Sequence, residues 1–349
     1  MVKATEKLEL IMRMFASPRF RNDVKALRYA AEGYISYAWE LCKETGIADL
    51  LKRGSTTEKM VKERGIRDKR FLEHVLDFLA GSGVLVHRNS EYRLLREPGL
   101  FTGKKYRFLE EFYPNSVEWT HSLRKKARDA IVTGKREFDA GFDHERFLEL
   151  WDGIMRESPW SFRKIAIQKF SRRIRDGADI LDLGCGSGVS TEQILFECRK
   201  PVNITGIDQS KTSIEKARTR MEELQKNAED PVIRKNIRGV ELFQHDITKQ
   251  IPDDKKYDVV FMSLLVNHIP EKKRYSFFAN VKALLKDNGT VVVYQFVHGS
   301  RFERVPMWVM NIVPTHQDFP FRDEYLEMFR DIFGHVRSYL GGNIVVAGR

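Results

Sequence analysis

Cysteine is scarce and poorly spaced for structural use: Cys42, Cys185 and Cys198 are the only three in 349 residues, and no two form a C-x-x-C pair. An odd number at long spacing argues against a disulfide framework and against a zinc site, and it fits a reducing compartment with no metal. Long apolar runs are also missing. No stretch approaches the roughly 18 residues of a membrane span. The chain opens without the charged-then-apolar pattern of a secretory signal, so a cytoplasmic protein with no membrane span is expected. Internal repeats and low-complexity linkers are absent too. What is present is ordinary for globular domains: hydrophobic residues make up 42% and charged residues 31%. At about 150 residues per domain the length suggests two domains.

Charge is plentiful and uneven. The net charge is +11. Residues 1–180 hold 36 Lys and Arg against 27 Asp and Glu, a net +9, and the remainder holds 24 against 22, a net +2. The basic excess lies in the first half, where it suits either a solvated surface or an acidic partner.

The most informative stretch is Asp179-Ile-Leu-Asp-Leu-Gly-Cys-Gly-Ser-Gly188. Its first half alternates as a short buried strand, and three glycines at alternate positions lead into a helical pattern from Val189 to Leu195. Strand, glycine turn and helix N-terminus form a cradle in which a ligand can approach the backbone closely. The spacing G-x-G-x-G differs from the dinucleotide pattern G-x-G-x-x-G, which favours a ligand without a pyrophosphate. Ile204-Thr-Gly-Ile-Asp208 reads as a second strand ending in an acid suited to a ribose diol. Val240 to Asp246 reads as a third strand ending in an acid.

In this order the three features resemble the Rossmann-like S-adenosylmethionine-dependent methyltransferases, over residues 177–349. The resemblance implies S-adenosyl-L-methionine as cofactor and S-adenosyl-L-homocysteine as product. It also implies that Asp182, Gly184, Gly186 and Gly188 hold the methionine end. Asp208 would bind the ribose, Gln209 would lie by the adenine, Asp246 would accept from the adenine amino group, Ile247 would pack on the ring and Leu264 would line the cofactor. The fold expected is α/β: a Rossmann-like seven-stranded methyltransferase sheet preceded by a mostly helical winged-helix domain. Ser210 should cap the helix after the second strand. Tyr257–Ser263 should be a fourth strand. Pro270 should precede a helix, and Asp287-Asn-Gly289 should turn into the strand Thr290 to Phe296. His335 to Leu340 and Asn343 to Ala347 should close the sheet as an antiparallel pair.

Upstream, residues 3–16 and 22–52 read as helices, the second with an alanine-rich stripe that predicts a homodimer through this domain. Ser55-Thr-Thr-Glu58 is a capping box for a short helix ending near Gly65, and Asp68 can cap a helix to Ala80 with Phe71, Leu72, Val75, Leu76 and Leu79 inward. Val84 to His87 and Tyr92 to Leu95 make a hairpin. Together these elements read as a winged helix over residues 1–110, similar to the N-terminal domain of the small-molecule O-methyltransferases. The acids Glu73 and Asp77 on the exposed face of the second helix oppose a phosphate backbone, so nucleic acid is not expected as a partner. Residues 111–176 read as connecting helices that contribute to the acceptor site, with Ser158-Pro159 starting one of them.

Methylation of a hydroxyl needs a base, and an imidazole is suited to that task at neutral pH. The resemblance puts His268, after the fourth strand, where the phenolic O-methyltransferases place theirs, although Ile269-Pro270 replaces their Asp-Trp. His298 and His316 are further candidates for the acceptor site, and His245 reads as a strand-end residue. The apolar insert from Phe296 to Phe321 reads as a lid over the acceptor. The leading expectation is O-methylation of a small-molecule acceptor. The alternatives are an RNA or protein methyltransferase using the basic half, and a winged-helix regulator that senses a metabolite.

Overall fold

The computed structural model describes residues 17–99, 101, 103–135, 144–249, 255–299 and 319–348. The helix read over 3–16, most of the insert read as a lid, and His316 lie outside the described residues. The chain divides into two compact units, one over Ser17–Ser158 and one beginning at Pro159.

In the first unit, Ser17 caps the helix Pro18–Glu44 by accepting from the Phe20 N–H. The single helix expected over 22–52 is instead two. The backbone N–H of Thr45 closes on Leu41, Gly46 turns at a φ of 70°, and Ile47–Arg53 follows. A left-handed φ suits glycine and ends a right-handed helix at once. The next cap is Thr56, one residue past Ser55: both pair with strand β3 (Glu91–Leu94) as strand β1, and it is the Thr56 side chain that accepts from the Lys59 N–H. Asp68 caps Lys69–Gly81, whose Phe71, Leu72, Val75, Leu76 and Leu79 are all fully buried. Strands β2 (Leu85–Arg88) and β3 (Glu91–Leu94) meet through Asn89 and Ser90 at φ 50° and 62°, a two-residue turn with both residues left-handed.

Asp77, on the exposed face of Lys69–Gly81, accepts a 2.6 Å bond from the Tyr92 hydroxyl and so ties the helix to the hairpin. The start of the helix Pro114–Thr133 has no cap of its own. The buried Glu157 carboxylate supplies one, accepting from the N–H groups of Asn115 at 2.8 Å and Ser116 at 3.0 Å.

The second unit contains a seven-stranded sheet in the order β6-β5-β4-β7-β8-β10-β9. Its strands are β4 (Ala178–Leu183), β5 (Val202–Asp208), β6 (Val240–Gln244), β7 (Tyr257–Ser263), β8 (Leu285–Tyr294), β9 (His335–Tyr339) and β10 (Ile344–Gly348). The first five are parallel, and β10 runs antiparallel to both β8 and β9. This is the α/β sheet expected from the alternation of strand and helix patterns. One detail differs: the turn read at Asp287–Gly289 lies inside β8. Leu285 pairs with Tyr257 and Thr290 with Val259, so the intervening residues bulge out of register. Ser210 caps Lys211–Asn227 as expected, and a further helix, Pro231–Arg238, is capped by Asp230.

At the edge where the parallel strands begin, Lys286 donates 2.7 Å bonds to both Asp179 and Asp258, and Arg175 forks onto Asp258 at 3.0 and 3.2 Å. Partial burial pushes both carboxyls up. The bonds from Lys286, with Asn203 on Asp179 and Arg175 and the Asp179 N–H on Asp258, outweigh it and hold both below the usual carboxylate range. For Lys286 burial acts downward, and its two carboxylate partners still leave it raised. Depressed carboxyls contribute stability above their unfolded pKa near 4 and lose it as pH falls through the folded value; a raised lysine contributes below about 10.5 and loses it as pH rises through its folded value. Lys286→Met should therefore destabilise the fold by roughly 1–3 kcal/mol near neutrality in denaturant titrations. The difference from the parent should shrink as pH falls below the usual carboxylate range and through the lowered folded-state values of Asp179 and Asp258.

Candidate functional site

The opposite edge of the sheet, where the parallel strands end, collects most of the residues singled out from the sequence. Strand β4 pairs with β5 on one side and β7 on the other, so the chain order reverses at β4 and a crevice opens beyond its end. The glycine turn lies there. Gly184, Gly186 and Gly188 have φ of 75°, 54° and 83°, all left-handed, but space constrains each differently. A Cβ on Gly184 would stand 2.7 Å from Leu265 Cδ1, and one on Gly188 would stand 3.1 Å from Ala217 Cβ. A Cβ on Gly186 would meet nothing within 4 Å. Two glycines thus let the turn pack against Leu265, beyond the end of β7, and the helix Lys211–Asn227, and Gly186 borders open space.

The turn is anchored from several directions. Gly184 and Cys185 donate to the Ile207 carbonyl at 2.8 and 3.1 Å. The Arg220 Nε donates to the Ser187 carbonyl at 2.8 Å while its Nη1 reaches Glu192 at 3.1 Å. Gly206 in β5 lets the turn lie down on the sheet, because a Cβ there would stand 3.1 Å from Cys185 Sγ and 2.7 Å from Leu242. A glycine inside a strand is the signal that could have singled it out. The three cysteines are buried and free, and burial pushes every thiol up, so they serve packing.

Asp182 is fully buried beneath the turn. Its Oδ2 accepts from the Ser190 hydroxyl at 2.7 Å and the Thr191 hydroxyl at 2.6 Å, which binds β4 to the first turn of the helix Val189–Glu197. Its Oδ1 has no hydrogen-bond partner. Burial raises the Asp182 carboxyl to about 6, against the lowering bonds from Thr191 and Ser190 and the charge of Arg163.

Asp208 ends β5 with its Oδ2 accepting from the Gly186 N–H at 3.0 Å and its Oδ1 from the Ser210 N–H at 2.9 Å. A carboxylate offers about four lone-pair positions, so two remain for a diol. Its carbonyl accepts from the His245 N–H at 2.9 Å, which brings the end of β6 alongside. Asp246 is half-buried there, closing a turn by accepting from the Thr248 N–H at 3.0 Å and hydroxyl at 2.7 Å. Those bonds hold its carboxyl below the usual range. Gln209 is exposed, and Ile247 is half-buried against the main hydrophobic cluster of the sheet.

Beyond β7, Leu264 has a φ of 55°, an uncommon conformation for leucine, and donates its N–H to the Tyr294 carbonyl at 2.8 Å. This kink drives Leu265 against Gly184 and starts the single 3-10 turn Val266–His268. The Val266 N–H is held at 2.9 Å by the side-chain oxygen of the fully buried Gln295. His268 is half-buried at the end of that turn, on the same sheet edge as the glycines and Asp208. His298, four residues past the end of β8, is bridged to Phe321 with their ring centres 5.0 Å apart.

The open space at Gly186, the unpartnered buried Asp182 oxygen and the spare lone pairs of Asp208 fit a nucleoside thioether with an amino-acid end. Among the described residues, no group of three or more His, Cys, Asp or Glu is placed to hold a metal ion. No described helix is long and apolar enough to cross a membrane.

Comparison with known proteins agrees with this geometry. The family model for a methyltransferase domain matches residues 174–325. Ribosomal protein L11 methyltransferases of Thermosipho melanesiensis and Dictyoglomus turgidum are similar at 25% identity over 197 residues and 27% over 195. Each match covers 54% of this chain, and 66% and 56% of the respective relative, so the chain spans less than two thirds of either. Among solved structures, the CurJ carbon methyltransferase is similar with a TM-score of 0.65 at 15% identity, covering 99% of this chain and 97% of that one. The CMeT domain of the citrinin polyketide synthase gives 0.64 at 14%, covering 99% and 98%. An O-methyltransferase family 2 protein from Planctomyces limnophilus, complexed with apigenin, gives 0.52 at 14%, covering 94% of each. At such identities the structural likeness is one of fold. The domain match and the seven-stranded sheet together mark residues 174–325 as similar to a methyltransferase domain, on a Rossmann-like sheet.

Proposed function

We propose that this protein transfers the methyl group of S-adenosylmethionine to an oxygen of a small-molecule acceptor, with His268 taking the acceptor's proton. The observation that carries the reading is the placement of His268 on the 3-10 turn whose first residues pack against Gly184, so that an imidazole and the glycine cradle share one sheet edge. The donor supplies an electrophilic methyl on a sulfonium. As the new bond to oxygen forms, the bond to sulfur breaks and its electron pair stays on sulfur, leaving a neutral thioether. The protein's share is to hold the two reactants in line and to remove the proton from the acceptor. In this reading Gly186 gives the donor room, Asp182 takes the amino-acid end and Asp208 the ribose. Asp246 and Ile247 flank the adenine with Gln209 at its rim, and Leu264 lines the cofactor.

In the first unit, the helix pair and hairpin form a winged helix that serves packing, because Asp77 is engaged by Tyr92. Exposed Leu95, Phe112 and Val132 on that unit support a second copy of the chain as partner. The CurJ and citrinin domains, similar over 99% of this chain, favour carbon as a second reading, in which the same base removes a proton from an acidic C–H.

The test is transfer of labelled methyl from S-adenosylmethionine into an extract of the source cells, separated into small molecules, RNA and protein. Label in small molecules is expected, released as methanol by base from a methyl ester or as methyl iodide by hydriodic acid from a methyl ether, and by neither from a methyl on carbon. Label in protein would instead align the chain with its ribosomal-protein relatives and sink the small-molecule reading.

A further inference from the structure

Where β4, β5 and β6 begin, three short segments lead into the strands: 172–176 before β4, 199–200 before β5 and 234–238 before β6. Ile174, Asn236 and Ile237 in these segments are buried. The other nine residues are all exposed, and eight of them are Lys or Arg against the single acid Asp176. Hydrogen bonds hold the segments together. The Lys200 Nζ donates to the Ile174 carbonyl at 3.0 Å. The Asn236 side-chain amide donates to the Lys200 carbonyl at 3.0 Å and accepts from the Val202 N–H at 3.0 Å. Because β5 pairs with both β4 and β6, the segments stand side by side at about 4.8 Å per strand.

A solvated surface ordinarily mixes both signs, and the neighbouring part of this edge does so, with Lys286, Lys255 and Arg175 matched by Asp179 and Asp258. The three segments are not matched in this way. Arg175 is engaged by Asp258, Lys200 has Asp176 at 3.9 Å and Arg234 donates to the Ala228 carbonyl. Arg172, Arg173, Arg199, Lys235 and Arg238 make no side-chain hydrogen bond or ion pair among the described residues. Like charges gathered without counter-charges repel one another, and a bound polyanion relieves the repulsion.

Six of the eight cations are arginines, whose planar fork meets a phosphate through two bonds. An aromatic ring stands near them. Phe196 is 44% exposed, three residues before Arg199, at the end of the helix Val189–Glu197 that packs against Pro231–Arg238. Cations that track a phosphate chain beside an exposed ring on which a base can stack are the combination that holds unpaired strands. We propose that this edge of the sheet is a docking surface for single-stranded RNA. The glycine turn lies at the other end of β4, about 20 Å away for a strand of six residues. RNA held here is therefore a tether for the protein and not its methyl acceptor. The surface is separate from the helix Lys69–Gly81, where Glu73 and Asp77 oppose a phosphate backbone.

The test is fluorescence anisotropy with a labelled oligouridylate of about 12 nucleotides, within the site sizes of strand-binding surfaces. Five unmatched cations give an expected slope of about −3.5 in log K against log salt, so affinity should fall about 100-fold between about 50 and 200 mM salt. Replacing Arg172, Arg173 and Arg199 together with Gln should flatten the slope by about 2 and weaken binding at low salt by at least about tenfold. Phe196→Ala should weaken binding about 5- to 100-fold at every salt concentration with the slope unchanged, because it removes stacking and no charge. Replacing Lys211, Lys272 and Lys273 with Gln removes as much charge from the first turns of helices at the other end of the strands, and affinity should stay within about threefold.

The replaced side chains are exposed, so each variant should keep the thermal midpoint of the parent to within a few degrees. An arginine variant that binds like the parent would overturn the proposal. So would a lysine variant that loses as much affinity, since binding would then follow net charge alone. A parent that prefers polyglutamate of equal charge, or phosphatidylserine vesicles, would assign the surface to an acidic protein or a membrane instead. An unchanged Phe196→Ala variant would leave a surface for any polyanion and overturn the assignment to RNA. The proposal does not depend on the methyl-donor reading: a parent that binds S-adenosylhomocysteine and not the oligonucleotide removes this surface alone, and the converse result removes that reading alone.

Discussion

Replacing His268 with alanine is expected to lower turnover by roughly 10²- to 10⁴-fold, the range that a positioned general base supplies, while affinity for S-adenosylhomocysteine stays within about twofold. The separation follows from where His268 stands. Its backbone closes the 3-10 turn through its own N–H on Leu265, and the turn is held independently by Gln295 on the Val266 N–H. Truncating the ring leaves both bonds in place, and with them the contact of Leu265 on Gly184. The measurement is single-turnover transfer to the acceptor identified by labelling, beside calorimetric titration of the product cofactor. A variant that loses cofactor affinity in proportion to turnover would make His268 a support of the cradle. Unchanged turnover would remove it from the mechanism.

Gly186→Ala should weaken S-adenosylhomocysteine by at least about tenfold, or about 1.4 kcal/mol, while costing the fold only the roughly 1–2 kcal/mol of a left-handed alanine. The added methyl would meet no protein atom within 4 Å, so any further penalty comes from what the cradle binds. Gly188→Ala is the contrast. Its methyl would press on Ala217 Cβ at 3.1 Å and Cα at 3.3 Å, with the same left-handed strain at a φ of 83°. There the thermal midpoint should fall further than in Gly186→Ala, and the binding loss should follow from displacement of the helix. Thermal denaturation and titration of both variants separate the two cases. A Gly186→Ala protein with full affinity would mean that the ligand does not approach the turn at that glycine.

Much of the sheet unit was legible in the sequence because its signals are local and repeated. Strand patterns marked β4, β5, β6 and β7 to within two residues, and Ser210 announced its helix by a side-chain cap. The N-terminal reading failed where a single bond decided the outcome. Thr45 and Gly46 split one expected helix in two, and the cap of the next helix falls on Thr56 rather than Ser55, both of them paired with β3. Helical periodicity does not register a one-residue break, and a capping box does not reveal that a distant strand competes for the same residue.

At the site, the glycines and Asp208 were legible as residue types at a spacing. Their division of labour was not. Gly184, Gly186 and Gly188 look alike in the sequence, and only the positions of Leu265 and Ala217 show that two are packing glycines and one faces open space. Asp208, expected to bind a ribose, also holds the turn itself by accepting from the Gly186 N–H. Arg163, one of a basic set on its helix that reads as a solvated face, is buried, and Gln193 and Arg220 escaped notice, because a basic or amide side chain on a helix ordinarily lies in water and burial depends on what the rest of the chain places over it.

The sequence by itself determined the class of sheet, the place of the glycine turn after β4, and the acids at the ends of the neighbouring strands, since each follows from periodicity and residue chemistry within a few positions. The tertiary structure alone decided which oxygen of Asp182 is buried without a hydrogen-bond partner, and how the kink at Leu264 sets His268 on the sheet edge that carries the glycine turn. Those outcomes depend on contacts between residues far apart in the chain, whose free energies are set by burial and distance, and neither quantity is written in local order.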